Sequence, residues 1–243
     1  MRSHMNLQSS LTKKSTFLWL WLFCILGSLS LFPYLQHLDA LSPDVSLLKL
    51  FFVGAIQAAI VFGVICWLSY KILPMTDLHP FIFKNFWSQI VYPALIYGLL
   101  VGFSIYFFDK WLFHSSLISG KHPPLWTGLL ASLYGGVNEE VLCRLFLFTT
   151  IYFLCGKVVD LKNDNKKICI LWTTNILVAL IFGIGHLPAA FKLVSPTVFE
   201  IFRILLLNGI AGLTFGWLYW TRGLWTAIGA HCVADLVIHV FLT

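Results

Sequence analysis

Seven apolar stretches, at about residues 16–36, 46–72, 88–113, 125–156, 168–188, 196–220 and 224–242, take up almost the whole of this chain. A helix needs about 20 consecutive apolar residues to cross a bilayer, and a backbone in lipid must satisfy its own hydrogen bonds. Runs of this length therefore predict helical spans. With 59% hydrophobic and 11% charged residues among 243, and a mean hydropathy of +0.86, no room is left for a soluble domain. The expected fold is all-α, a polytopic transmembrane helix bundle of about seven spans. Its connectors are short: around Asp39 to Asp44, Pro74 to Asn85, Ser115 to Pro124, Lys157 to Lys167, Pro188 to Pro196, and a tight Thr221-Arg222-Gly223 turn.

Residues 1–4, Met1-Arg2-Ser3-His4, read as a tag remnant joined to Met5. Residues 5–124 are expected to form N-terminal transmembrane helices, and 125–242 a core that carries the chemistry. Lys13 and Lys14 precede the first apolar run as in a signal peptide, but the run is long and no small-x-small site closes it, so an uncleaved span is expected. The net charge of +6 comes without a basic stripe interleaved with aromatics, which argues against nucleic acid as a partner. The charge belongs to the connectors. Lys13, Lys14, Lys71, Lys84, Lys157, Lys162, Lys166, Lys167 and Arg222 fall on one side, against Lys49, Lys110, Lys121 and Lys192 on the other. That bias predicts the N-terminus inside and the C-terminus outside, in a bacterial cytoplasmic membrane. Cys24, Cys66, Cys143, Cys155, Cys169 and Cys232 show no CxxC spacing and read as thiols in apolar runs.

Against this background the stretch Gly135-Gly136-Val137-Asn138-Glu139-Glu140-Val141-Leu142-Cys143-Arg144 is exceptional, because it places two acids and a base inside a span. A charge at membrane depth costs about 2.5 kcal/mol or more, so it is kept for a partner, a pathway or chemistry. Glu140 and Arg144 stand at i and i+4 and are expected to form a structural ion pair, with Glu139 turned about 100° away and unpaired. The fifth run ends Phe182-Gly183-Ile184-Gly185-His186-Leu187-Pro188, where Phe182 and His186 share a face and Gly183 and Gly185 allow another backbone to approach. The seventh carries His231 and Asp235, again at i and i+4.

Glu139-Glu140-xxx-Arg144, Phe182-xxx-His186 and His231-xxx-Asp235 together resemble the motifs of the CPBP family of intramembrane proteases, which includes the CAAX prenyl endopeptidases and the Abi and lysostaphin-resistance-like proteins. The resemblance covers about residues 125–242. It implies hydrolysis of a peptide bond in a membrane-associated or prenylated (CAAX-type) protein or peptide. It further implies that Glu139 and His186 activate water while His231 and Asp235 help to hold the oxyanion. Asp235 stands where the family typically has Asn, and an ionised carboxylate cannot donate to an oxyanion. Its expected part is to hold the His231 ring in one tautomer.

The residue types lead to the same roles. A peptidase without a Ser or Cys nucleophile needs a base for water, and an unpaired carboxylate in low dielectric suits proton shuttling. Glu139 is the candidate general base, His186 its partner on the water or on the leaving amine, and His231 a donor to the oxyanion. Glu140, Arg144, Phe182 and Asn208 are expected to support the site, Asn208 by bracing it or by tying two helices. Asn138 is a local cap or a supporting group outside the catalytic set. Glu200 and Arg203 read as an i,i+3 pair near the interface, and His239 as incidental. The loop histidines His37, His79, His114 and His122 need no function.

No cofactor is required by this mechanism. Glu139, His186 and His231 are nonetheless a possible three-ligand set for a divalent metal such as zinc with an open water position, although no His-Glu-xx-His motif is present. Two other functions stay open at this point. One is a non-catalytic immunity or scaffolding protein of the membrane. The other is a proton-coupled transporter using the same ionisable groups as a relay, for which pseudo-symmetric halves would be the sign and none is visible.

Overall fold

A computed structural model describes residues 2–41, 46–81, 85–113, 123–193 and 195–241, so Asp44, Lys84, His114, Lys121 and His122 lie outside the described residues. Among those described, no strand occurs and helices follow one another in the order α1 (Arg2–Ser30), α2 (Phe32–His37), α3 (Leu47–Ile72), α4 (Tyr92–Phe108), α5 (Leu125–Leu133), α6 (Thr149–Val158), α7 (Asp164–Leu193), α8 (Val198–Arg222) and α9 (Leu224–Leu236). The fold is the expected all-α bundle. Among the described residues, six helical stretches are long and apolar enough to cross a membrane: Lys14–His37, Leu47–Met75, Trp87–Trp111, Leu125–Val158, Asp164–Lys192 and Val198–Arg222.

The seventh expected span is shorter, Leu224–Val240. Its setting explains the length. α9 packs against α4, α5 and α8, and Leu224, Ala227 and Ala230 are fully buried, so neighbouring helices rather than lipid surround it. Gly223, at φ 102°, makes the turn that leads into it. A residue with a Cβ rarely adopts that conformation. The turn is also fixed from outside, since Leu224 N–H donates to the Pro80 carbonyl at 2.8 Å.

The fifth span also departs from expectation. α7 continues through Pro188 to Leu193, where the sequence suggests an end at Pro188. A proline removes one hydrogen bond of the ladder, and the long packing seam between α7 and α8 carries the helix past that loss. His186 therefore sits within a helix and not at its frayed end. At the start of α8, Thr197 and Glu200 form a reciprocal capping box. Arg203 pairs instead with Asp109, in the π-wound segment Asp109–Phe113 that follows α4, which corrects the expected Glu200–Arg203 pair.

The span Leu125–Val158 is central. Between α5 and α6 it does not break but winds as two π-helical segments, Tyr134–Glu139 and Val141–Phe148. The helices that precede it pack around it: α1 on Tyr134–Glu139 and α3 on Val141–Phe148. Only 22% of the apolar window in each of the first two spans is buried, against 39% in the central span and in α7. The early spans therefore give most of their surface to lipid, and large apolar side chains such as Phe52, Ile60, Val64 and Trp67 face outward from α3.

Candidate active site

The cluster of ionisable side chains forms where α9 crosses the first π segment of the central span. The close approach depends on Gly135 and Gly136. A Cβ on Gly135 would come within 3.2 Å of His231 Nε2 and nearer still to the Asp235 carboxylate, and one on Gly136 would meet Cys232 Sγ and lie 3.1 Å from the Ile228 carbonyl. The missing side chains are what admit His231 and Asp235 to the central span. On the other side of the bundle Gly183 lies against Leu205, whereas Gly185 faces open space, so only the first of the two α7 glycines serves a close contact.

His231 is the hub. Its Nδ1–H donates to Glu140 Oε1 at 2.8 Å, while Glu139 Oε2 and Asp235 Oδ1 each stand 3.7 Å from Nε2. Consecutive acids of the central span thus reach opposite nitrogens of one imidazole, which a simple reading of Glu139 as turned away from Glu140 does not anticipate. The distance of 3.7 Å is too long for a direct hydrogen bond and suits a shared water or a substrate atom.

Glu140 is more than the partner of Arg144. The Arg144 Nε and Glu140 Oε2 atoms are 3.3 Å apart and both side chains are wholly buried. They approach without aligning as a hydrogen bond. Arg144 Nη2 donates to the Gly212 carbonyl at 3.3 Å, and the guanidinium lies 5.2 Å from the centre of the Phe182 ring and 5.9 Å from that of Phe215. Phe215 in turn stacks on the His231 ring at 4.6 Å and 24°. Arginine, two aromatic rings and imidazole form one packed unit around the buried carboxylate. Phe215 carries no signal in the sequence, being one of 22 phenylalanines.

His186 approaches from α7. Its Nδ1 lies 2.8 Å from the Phe182 carbonyl, and since a carbonyl only accepts, Nδ1 carries the proton and Nε2 is left free. The Phe182 ring meets His186 edge-on at 4.7 Å and His231 edge-on at 5.8 Å, so one ring packs against both imidazoles. His186 is within electrostatic reach of Glu139. Glu139, His186, His231 and Asp235 therefore share one region, with Glu140, Arg144 and Phe182 packed behind it. Asn208 does not join them. Its side-chain amide donates to the Ile204 carbonyl of its own helix at 2.8 Å. Asn138 ties the span to α1, donating to the Cys24 carbonyl and to Ser28 Oγ at 2.7 Å each.

Among the described residues no group of three His, Cys, Asp or Glu side chains is arranged to hold a metal ion, Glu139, His186 and His231 included.

The Glu139 side chain keeps 22% of its surface accessible and Asp235 16%, whereas Glu140 keeps none. One acid of the pair reaches an accessible surface and the other does not. Residues 121–237 match one family model, described as Rce1-like, type II CAAX prenyl endopeptidase Rce1-like. The match runs from just before α5 through α9 and contains the whole cluster. No curated protein and no solved structure matches the chain.

Proposed function

With residues 121–237 belonging to the CPBP family of intramembrane proteases, we propose that this multi-span membrane protein is an endopeptidase whose substrate is a membrane-associated or prenylated CAAX-type protein or peptide. The observation that carries this reading is the division of labour between adjacent acids. Glu140 is buried between Arg144 and His231, and Glu139 is left facing an accessible space with an imidazole nitrogen 3.7 Å away.

In this mechanism Glu139 takes a proton from water as the oxygen attacks the peptide carbonyl, then delivers it to the leaving amine. His186, with Nε2 free, holds the same water. His231, anchored to Glu140 through Nδ1, donates from Nε2 to the oxyanion when the ring carries both protons, and the surrounding carboxylates are its counter-charges. Glu140 takes over the orienting part that the sequence suggested for Asp235, and Asp235 instead borders the Nε2 side of the ring. The chemistry needs no cofactor. The cell membrane of a bacterium is the proposed location, with the lipid bilayer itself as the surrounding partner.

The test is cleavage of a quenched peptide library, farnesylated CAAX peptides included, by purified protein with and without a strong chelator. Cleavage at one bond that persists with chelator supports water activated by glutamate. Loss on chelation and recovery with zinc would replace this mechanism with a metal-assisted one, and cleavage that follows a contaminant through purification would remove the assignment.

A further inference from the structure

The ionisable groups of the candidate site come from the central span, α7 and α9, whereas α8 meets it with a backbone carbonyl and a ring. The Gly212 carbonyl accepts from Arg144 Nη2 at 3.3 Å, and Phe215, three residues further on, stacks on His231 with the ring centres 4.6 Å and the planes 24° apart. α8 comes this near to α7 because position 212 has no side chain: a Cβ there would lie 2.9 Å from Ala179 Cα. Phe215 is fully buried and His231 is only 5% exposed, so the stack is closed to solvent.

The bond to Glu140 leaves one freedom in His231. It holds Nδ1 at 2.8 Å but not the plane of the ring, and a tilt about Nδ1 would carry Nε2 away from Glu139 and Asp235, each 3.7 Å off. The flat face of Phe215 opposes that tilt, and the Phe182 ring meets the same imidazole nearly at a right angle, at 5.8 Å and 82°. Stacked and edge-on contacts are the arrangements that aromatic pairs prefer, and a phenyl face also attracts a ring that carries a positive charge. An aliphatic side chain would fill the space and impose no plane.

We infer that Phe215 is a positioning residue that acts through His231, holding the imidazole plane so that Nε2 points at the reacting oxygen. The inference rests on the proposed hydrolysis, in which His231 donates from Nε2 to the oxyanion. Phe215 is buried behind the imidazole and meets no substrate, so its loss slows turnover and leaves substrate binding alone.

The experiment measures kcat and KM for cleavage of a farnesylated CAAX peptide by wild-type protein, Phe215→Leu, Phe215→Tyr and Phe148→Leu, with a thermal melt of each. Phe148 is the control: it is equally buried and stacks on Trp220 at 5.5 Å and the same 24°. Phe215→Leu is expected to lower kcat about tenfold or more with KM unchanged, the scale of a slightly misplaced group. Phe148→Leu should lower the melting temperature by a similar amount and keep the wild-type kcat. Phe215→Tyr keeps the flat face and should recover most of the kcat. Should Phe215→Leu not fold, Phe215→Met fills more of the volume, also without a plane, and takes its place. Wild-type kcat in the ringless variant overturns the inference, as does an equal loss in Phe148→Leu, a loss in Phe215→Tyr as deep as in Phe215→Leu, or a change confined to KM. Wild-type protein that hydrolyses nothing removes the proposed function and this inference together, whereas active wild type with an unaffected Phe215→Leu removes this inference alone.

Discussion

Two clusters of acid, base and ring donor stand in contrasting surroundings in this bundle. At mid-bundle, Glu140 and Arg144 have no exposed side-chain surface and share His231 and two phenylalanine rings. At one end, Asp77 accepts from the Tyr152 hydroxyl at 2.8 Å and from the Lys167 ammonium, and the Asp77 and Lys167 side chains are 46% and 34% exposed. The inventories are alike, but the consequences differ. Water screens the outer pair, and exposed ion pairs contribute about 0–1 kcal/mol. Buried pairs seldom stabilise relative to apolar residues, yet removing one partner strands the other. A buried pair that touches an imidazole of the candidate site is better understood as an orienting device than as a source of stability.

The largest expected effect follows from stranding. Glu140→Ala leaves Arg144 buried without its acid and is expected to cost about 3–5 kcal/mol of stability, read as loss of folded protein in a detergent thermal melt. Glu140→Gln keeps an acceptor for His231 and should fold better while losing most of its activity. The loss is expected because the amide accepts from Nδ1–H but gives no counter-charge to a doubly protonated ring, so a variant that folds and cleaves normally would show the counter-charge role of Glu140 to be wrong. Gly135→Ala comes next, because its Cβ pushes on His231 and Asp235, and a fall in kcat of about a hundredfold is expected from displacing these groups of the candidate site. The measurement is turnover at saturating substrate.

The outer cluster should respond weakly. Tyr152→Phe removes one hydroxyl and is expected to cost about 1 kcal/mol or less, with cleavage unchanged. Burial pushes the Asp77 carboxyl up, but the bonds from Lys167 and Tyr152 outweigh it and hold the group below its ordinary value of 3.8. A depressed folded-state value means stability that is present above the unfolded value and lost as pH falls through the folded one. Acid melts of wild type and Asp77→Asn should therefore differ at neutral pH and converge below about pH 3.8, by a small amount given the exposure of the pair. An Asp77 effect as large as that of Glu140 would erase the contrast.

Much of this was legible in the chain. Hydropathy exposes the spans, and i,i+4 spacing brings out Glu140 with Arg144, Phe182 with His186 and His231 with Asp235, because each pair lies within one helix. What stayed hidden depends on contacts between helices or on the winding within one. The π-wound turns carry Glu139 and Glu140 to opposite nitrogens of His231, which α-helical spacing cannot indicate. Arg203 finds Asp109, 94 residues away, rather than the nearer Glu200. The apolar run ends at Pro188 in the sequence, whereas α7 continues to Leu193 and keeps His186 inside the helix. Gly135 and Gly136 stood in the motif itself, but their use is visible only with α9 beside them.

The most direct measurement is turnover of a farnesylated CAAX peptide by Glu139→Gln beside wild type, in matched preparations with the same melting temperature. The account predicts a fall in kcat of about a hundredfold or more, the scale of a lost general base. Site-specific cleavage by Glu139→Gln at the wild-type rate would contradict it.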